Sequence, residues 1–76
     1  MNKARRKRLE EIRGKIEELR DELETVKDEE EEAKDNMPEN LWGSEKYEAM
    51  EEAVSDMELA IDQLDEAMGY IESVCE

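Results

Sequence analysis

Between Ser44 and Cys75 the chain carries two apolar seams, where an ordinary surface helix carries one. Tyr47, Met50, Val54, Met57, Ile61, Leu64, Met68, Ile71 and Cys75 follow one another in unbroken alternating steps of three and four residues, the a and d pattern of a heptad repeat. Beside them Ala49, Ala53, Ala60, Ala67, Tyr70 and Val74 keep the same alternation at positions c and g, with Asp56 and Gln63 in the two remaining places. A helix with apolar stripes on two adjacent faces needs two neighbours. A chain of 76 residues has room for one other long helix, so the second neighbour is expected to be another copy of the chain.

The partner helix is expected over about residues 3–35. Its stripe runs Leu9, Ile12, Ile16, Leu19, Leu23, Val26, Ala33 and Met37, and only Glu30 breaks it. Two apolar positions in seven make a narrow seam that suits a single neighbour. The e positions Arg6, Arg13, Arg20, Lys27 and Lys34 are all basic, and the b positions Glu10, Glu17, Glu24 and Glu31 are all acidic. Each cation therefore has a Glu three or four residues away, a regularity that acts on register more than on stability. Gly14 falls at an outward f position, and the run Asp28 to Glu32 reads as a solvated helix face.

Pro38 disfavours helical geometry at Met37 and removes a donor, which ends the first helix at or just before it. Gly43 frees the backbone, and Ser44 is a good N-cap with Glu45 in the first turn. The second helix is expected over about 44–75, the loop over about 36–43, and the whole as one helical-hairpin domain, all-α and coiled-coil-like. Leu41 and Trp42 are expected to fold back as a lid. Trp42 either plugs the end of the core near Met50 and Glu30 or stays exposed as an anchor for a partner, and the plug is the favoured reading.

With a turn at about Asn40, core layers pair Val26 with Val54, Leu23 with Met57, Leu19 with Ile61, Ile16 with Leu64, Ile12 with Met68 and Leu9 with Ile71, all apolar. In an antiparallel pair e faces e, which sets Lys27 beside Glu51, Arg20 beside Glu58, Arg13 beside Asp65 and Arg6 beside Glu72. Every pair is of opposite sign, which selects the hairpin over parallel self-association. The alanine seam then faces outward. Ala49, Ala53, Asp56, Ala60, Gln63, Ala67, Tyr70 and Val74 are the expected interface of a homodimeric four-helix bundle, antiparallel about a two-fold axis near residues 60 to 63.

The same residues exclude several chemistries. There is no His and only one Cys, so neither an internal disulfide nor a zinc site within one chain is available. A dinuclear carboxylate centre needs Glu-x-x-His pairs that are missing, and a calcium loop from Asp35 would carry Asn40 and Lys46 where Gly and Glu are required. Ser44, Ser55 and Ser73 have no histidine base, and Cys75 has no activating neighbour. The chain is read as no enzyme and as needing no cofactor. No apolar run approaches the roughly 20 residues of a membrane span or the about 7 to 15 of a signal-peptide core, so a cytoplasmic location is expected.

Charge is segregated along the chain. Residues 1–20 carry net +4 and residues 21–76 net −18, making the −14 of the whole. The acidic body repels nucleic acid and anionic membrane. Lys3, Arg5, Arg6, Lys7 and Arg8 form a basic tip that could contact phosphate, but the favoured reading is that Arg6 and its neighbours answer Glu72 and Glu76. The function expected is a non-catalytic protein–protein interaction module with an unidentified protein partner; binding of nucleic acid or an anionic surface through the basic segment is the alternative.

The segment Asp35-Asn36-Met37-Pro38-Glu39-Asn40-Leu41, followed by Gly43-Ser44-Glu45-Lys46 and preceded by Met1-Asn2-Lys3 with its basic tract, resembles uncharacterised small acidic helical proteins of Firmicutes genomes and their phages or mobile elements. The likeness covers most of the chain. It implies a helical hairpin and a mobile-element context, and it brings no functional residues with it. Trp42 departs from the pattern, which has a polar residue at that place.

Overall fold

Asn2 opens the first helix, its side-chain oxygen accepting the Arg5 N–H at 2.9 Å and satisfying one of the donors that a helix start leaves free. In the computed structural model, which describes residues 1–76, this helix (α1) runs Lys3–Asp35. It stops where the sequence stops supporting it. The Asn36 N–H still reaches Glu32 O at 3.0 Å and the Met37 N–H reaches Lys34 O at 3.1 Å, but Pro38 has no N–H to continue the ladder.

A single 3-10 turn, Glu39–Leu41, follows, and Gly43 then takes φ +87°, the left-handed region that a side chain disfavours. The chain reverses there. Ser44 caps the second helix (α2, Glu45–Cys75), its hydroxyl oxygen accepting the Tyr47 N–H at 3.2 Å, with Glu45 and Glu48 in the first turn beside the positive end of the helix dipole.

The two helices pack against each other as an antiparallel hairpin, in an all-α chain. The Cα trace measures 59 × 15 × 13 Å, whereas 33 residues of helix span only about 50 Å. The remaining length is the connection, which climbs past the end of α1 before turning back. Three residues are buried, all on the a column of α2: Val54, Ile61 and Met68. No helix is long and apolar enough to cross a membrane.

The stripe of α1 does not enter the core as a unit. Leu9, Ile16 and Leu23, its a column, are half-buried, as are Arg13, Arg20, Lys27 and Lys34 on the e column. Ile12, Leu19 and Val26, the d column, remain 43, 60 and 52% exposed. The expected layers of Val26 on Val54, Leu19 on Ile61 and Ile12 on Met68 are therefore not formed: the α2 member of each is buried and the α1 member lies outside. A pair of helices has one seam, and α1 offers it three columns. The helix turns its a column and the aliphatic stems of its basic column inward, and d is left in water.

Candidate interaction surfaces

Cross-helix ion pairs mark the register. Arg13 Nε lies 2.6 Å from Glu72 Oε1, and Arg20 bonds Asp65 twice, Nε to Oδ1 at 2.9 Å and Nη2 to Oδ2 at 3.3 Å. Arg20 also meets Glu24 on its own helix, and Arg13 meets Glu17 at 2.9 Å. Hydrogen bonds to Glu72 and Glu17 raise the pKa of Arg13, and that to Asp65 is the largest cause raising that of Arg20. Lys27 pairs with Asp28 at 2.8 Å and feels the charge of Glu58; its pKa is raised, chiefly by the Asp28 bond.

These partners stand one heptad further along α2 than the expected ones. Arg13 takes Glu72 rather than Asp65, Arg20 takes Asp65 rather than Glu58, and Lys27 faces Glu58 rather than Glu51. Opposite signs recur every seven residues on both helices, so the charges alone fit either register. The connection decides between them. Its extra climb beyond α1 moves the turn from Asn40 towards Gly43 and slides α2 by a heptad.

The ladder also explains which residues are buried. Ile61 sits three residues after Glu58 and four before Asp65; Met68 holds the same place between Asp65 and Glu72. Arg20 and Arg13, drawn across to Asp65 and Glu72, are half-buried on either side of Met68, as expected of long stems that cover apolar surface.

Because the ladder joins e column to e column along one edge, the d and g columns of both helices fall along the other. That edge carries the exposed Ile12, Leu19 and Val26 of α1 and the g column of α2, Ala53, Ala60, Ala67 and Val74. Ala60 and Val74 are exposed, and Ala53 and Ala67 are half-buried by the hairpin itself. Ala49, Asp56, Gln63 and Tyr70, at position c, are exposed, Tyr70 to 67%. Six of the eight residues of the expected interface thus lie exposed on α2, and Ala53 and Ala67 are partly covered within the hairpin. Sequence reasoning missed its continuation onto α1, because Ile12, Leu19 and Val26 carry the same spacing as core.

Shifting the register moves the basic tip as well. With ladder partners summing to 85, Glu76 is level with Leu9, and Met1 to Arg8 project past the last turn of α2. Lys3, Arg5, Arg6, Lys7 and Arg8 form no ion pair, and the expected answer of Arg6 to Glu72 is replaced by that of Arg13. Met1, Arg5, Arg8, Leu9 and Ile12 line a shallow hollow there.

At the opposite end Trp42 is not a plug over the core. It is 51% exposed, with Leu41 beside it at 43%. The ring is nevertheless held: its Nε1 donates to Met37 O at 2.9 Å, and it stacks on Tyr47 with centroids 6.0 Å apart. Lys34 Nζ lies 6.0 Å from the other partner of that stack, over the Tyr47 ring.

No group of three or more His, Cys, Asp or Glu side chains is placed to hold a metal ion, and Cys75 is a free, half-buried thiol. No family model matches the chain, and neither a curated protein nor a solved structure matches it.

Proposed function

We propose that the chain is a non-catalytic protein–protein interaction module that works as a homodimeric acidic bundle and offers its outer carboxylate faces and its Leu41–Trp42 corner to a partner protein. The observation that carries this reading is the column Ile12, Leu19 and Val26, left 43 to 60% exposed although the a and e columns of α1 are packed or ion-paired. Three large aliphatic side chains at heptad spacing, rimmed by charge, are the composition of a contact surface. Trp42 supports the second contact, since an exposed aromatic ring held by a hydrogen bond and a stack loses little freedom on binding. The resemblance to small acidic proteins of Firmicutes and their mobile elements suggests that setting for the module.

A tagged chain is used to capture partners from the host cell, with Trp42→Ala and nuclease-treated controls. The reading expects a protein retained without nucleic acid and weakened by Trp42→Ala. Recovery of DNA or RNA that is lost at raised salt, and lost when Arg5, Arg6, Lys7 and Arg8 become Ala, would replace it with the basic-tip alternative.

A further inference from the structure

Next to the exposed apolar column of α1 runs its g column, Arg8, Lys15, Glu22 and Glu29. None of the four is ion-paired within the hairpin, although α1 pairs most of its e column. Its order is two cations followed by two anions. Such a column complements itself only when a second copy runs the opposite way.

We infer that two hairpins associate α1 against α1, antiparallel, about a two-fold axis at Leu19, with Arg8 of each chain meeting Glu29 of the other and Lys15 meeting Glu22. This rests on the homodimer proposed above and names its surface. Centring the axis on Leu19 sets Leu19 on its own copy and Ile12 on Val26 in both directions, so the three exposed aliphatic residues cover one another. No other register does as well. Sliding by one heptad sets Lys15 against Lys15 or Glu22 against Glu22, and a parallel arrangement opposes like charges at all four positions.

Two further features agree with this placement. Lys3 comes level with Asp35 of the other chain, so α1 is covered from end to end, and the unpaired basic tip lies beside the other chain's Glu29, Glu30 and Glu32, which are themselves unpaired. In the hairpin's own register, Leu19 is level with residue 66 of α2. The axis therefore passes near Ala67 and sets Ala60 against Val74, small against large, on the second strip of the same edge. It does not pass between residues 60 and 63.

The chain exposes 5820 Å², whereas a compact monomer of 8.9 kDa exposes about 4,800 Å². That excess, about 1,000 Å², is comparable with the roughly 800 Å² that each partner buries in a standard interface.

The test uses the full chain with Cys75→Ser, to which Leu19→Cys or Ala60→Cys is added. A residue on the axis lies close to its own copy, so Leu19→Cys is expected to give a disulfide-linked dimer on mild oxidation and Ala60→Cys is not. Linkage through Ala60→Cys alone would move the axis to the middle of the alanine seam and overturn the inference while leaving the homodimer intact. A dimer by sedimentation that links through neither site would overturn it in the same way, whereas a monomer by sedimentation would remove the homodimer and the inference together. A second pair of variants changes only surface charge. Lys15→Glu and Glu22→Lys should each weaken self-association on the order of tenfold, because two exposed attractive pairs become repulsive, and an equimolar mixture should recover it as a heterodimer. Failure of the mixture to recover association would contradict the Lys15–Glu22 pairing.

Discussion

Arg20 grips Asp65 with two nitrogens, Nε at 2.9 Å and Nη2 at 3.3 Å, and Asp65 stands one heptad beyond Glu58, the partner that charge pattern and an Asn40 turn assign to it. The difference is testable by exchange of charge. Arg20→Glu should lower the midpoint of thermal unfolding by several degrees, and adding Asp65→Arg should return much of the loss. Adding Glu58→Arg instead should return little. Rescue by position 58 and not by position 65, followed by circular dichroism, would place the turn at Asn40 and Arg20 beside Glu58.

The two apolar columns facing opposite ways should respond differently to truncation. Ile61→Ala removes a side chain that is 6% exposed, and a cost of about 2–5 kcal/mol is expected. Ile12→Ala, on the exposed column, should cost less than about 0.5 kcal/mol when the protein is dilute enough to be monomeric. In the proposed homodimer its effect is expected on self-association. Denaturant titrations at low and high protein concentration separate the two, and an equal cost at Ile12 in dilute solution would put that residue back in the core.

Steps of three and four residues predict two helices within a residue or so of their observed ends, because Pro38, Gly43 and Ser44 mark the connection chemically. The rotation of α1 is not written in that spacing. Ile12 and Ile16 are equally apolar, and which of them faces α2 depends on whether the stems of Arg13 and Arg20 take the place beside the seam. Nor is the vertical register written there, since a heptad pattern slid by seven residues looks the same. The strip on α2 is visible as the small residues Ala53, Ala60 and Ala67, of which Ala60 is exposed and the other two are half-buried by the hairpin. Its extension onto α1 emerges only once Leu19 is seen to be 60% exposed.

Three glycines divide by backbone geometry. At Gly43, φ +87° makes a side chain costly, and Gly43→Ala should destabilise by about 1–2 kcal/mol. Gly14 and Gly69 sit inside helices with nothing within 4 Å of an added Cβ, so Gly14→Ala and Gly69→Ala should each stabilise by about 0.5–1 kcal/mol. Thermal unfolding of the three variants side by side decides the matter, and stabilisation by Gly43→Ala would mean that the connection does not turn there.

In the proposed homodimer a second copy covers the exposed column of α1 and the outward alanine strip of α2 and pairs with Arg8, Lys15, Glu22 and Glu29, which form no ion pair within the hairpin. Sedimentation equilibrium of the unmodified chain over a range of micromolar concentrations measures this directly. The predicted result is a mass twice 8.9 kDa that falls towards 8.9 kDa on dilution. A mass of 8.9 kDa throughout the range would contradict it.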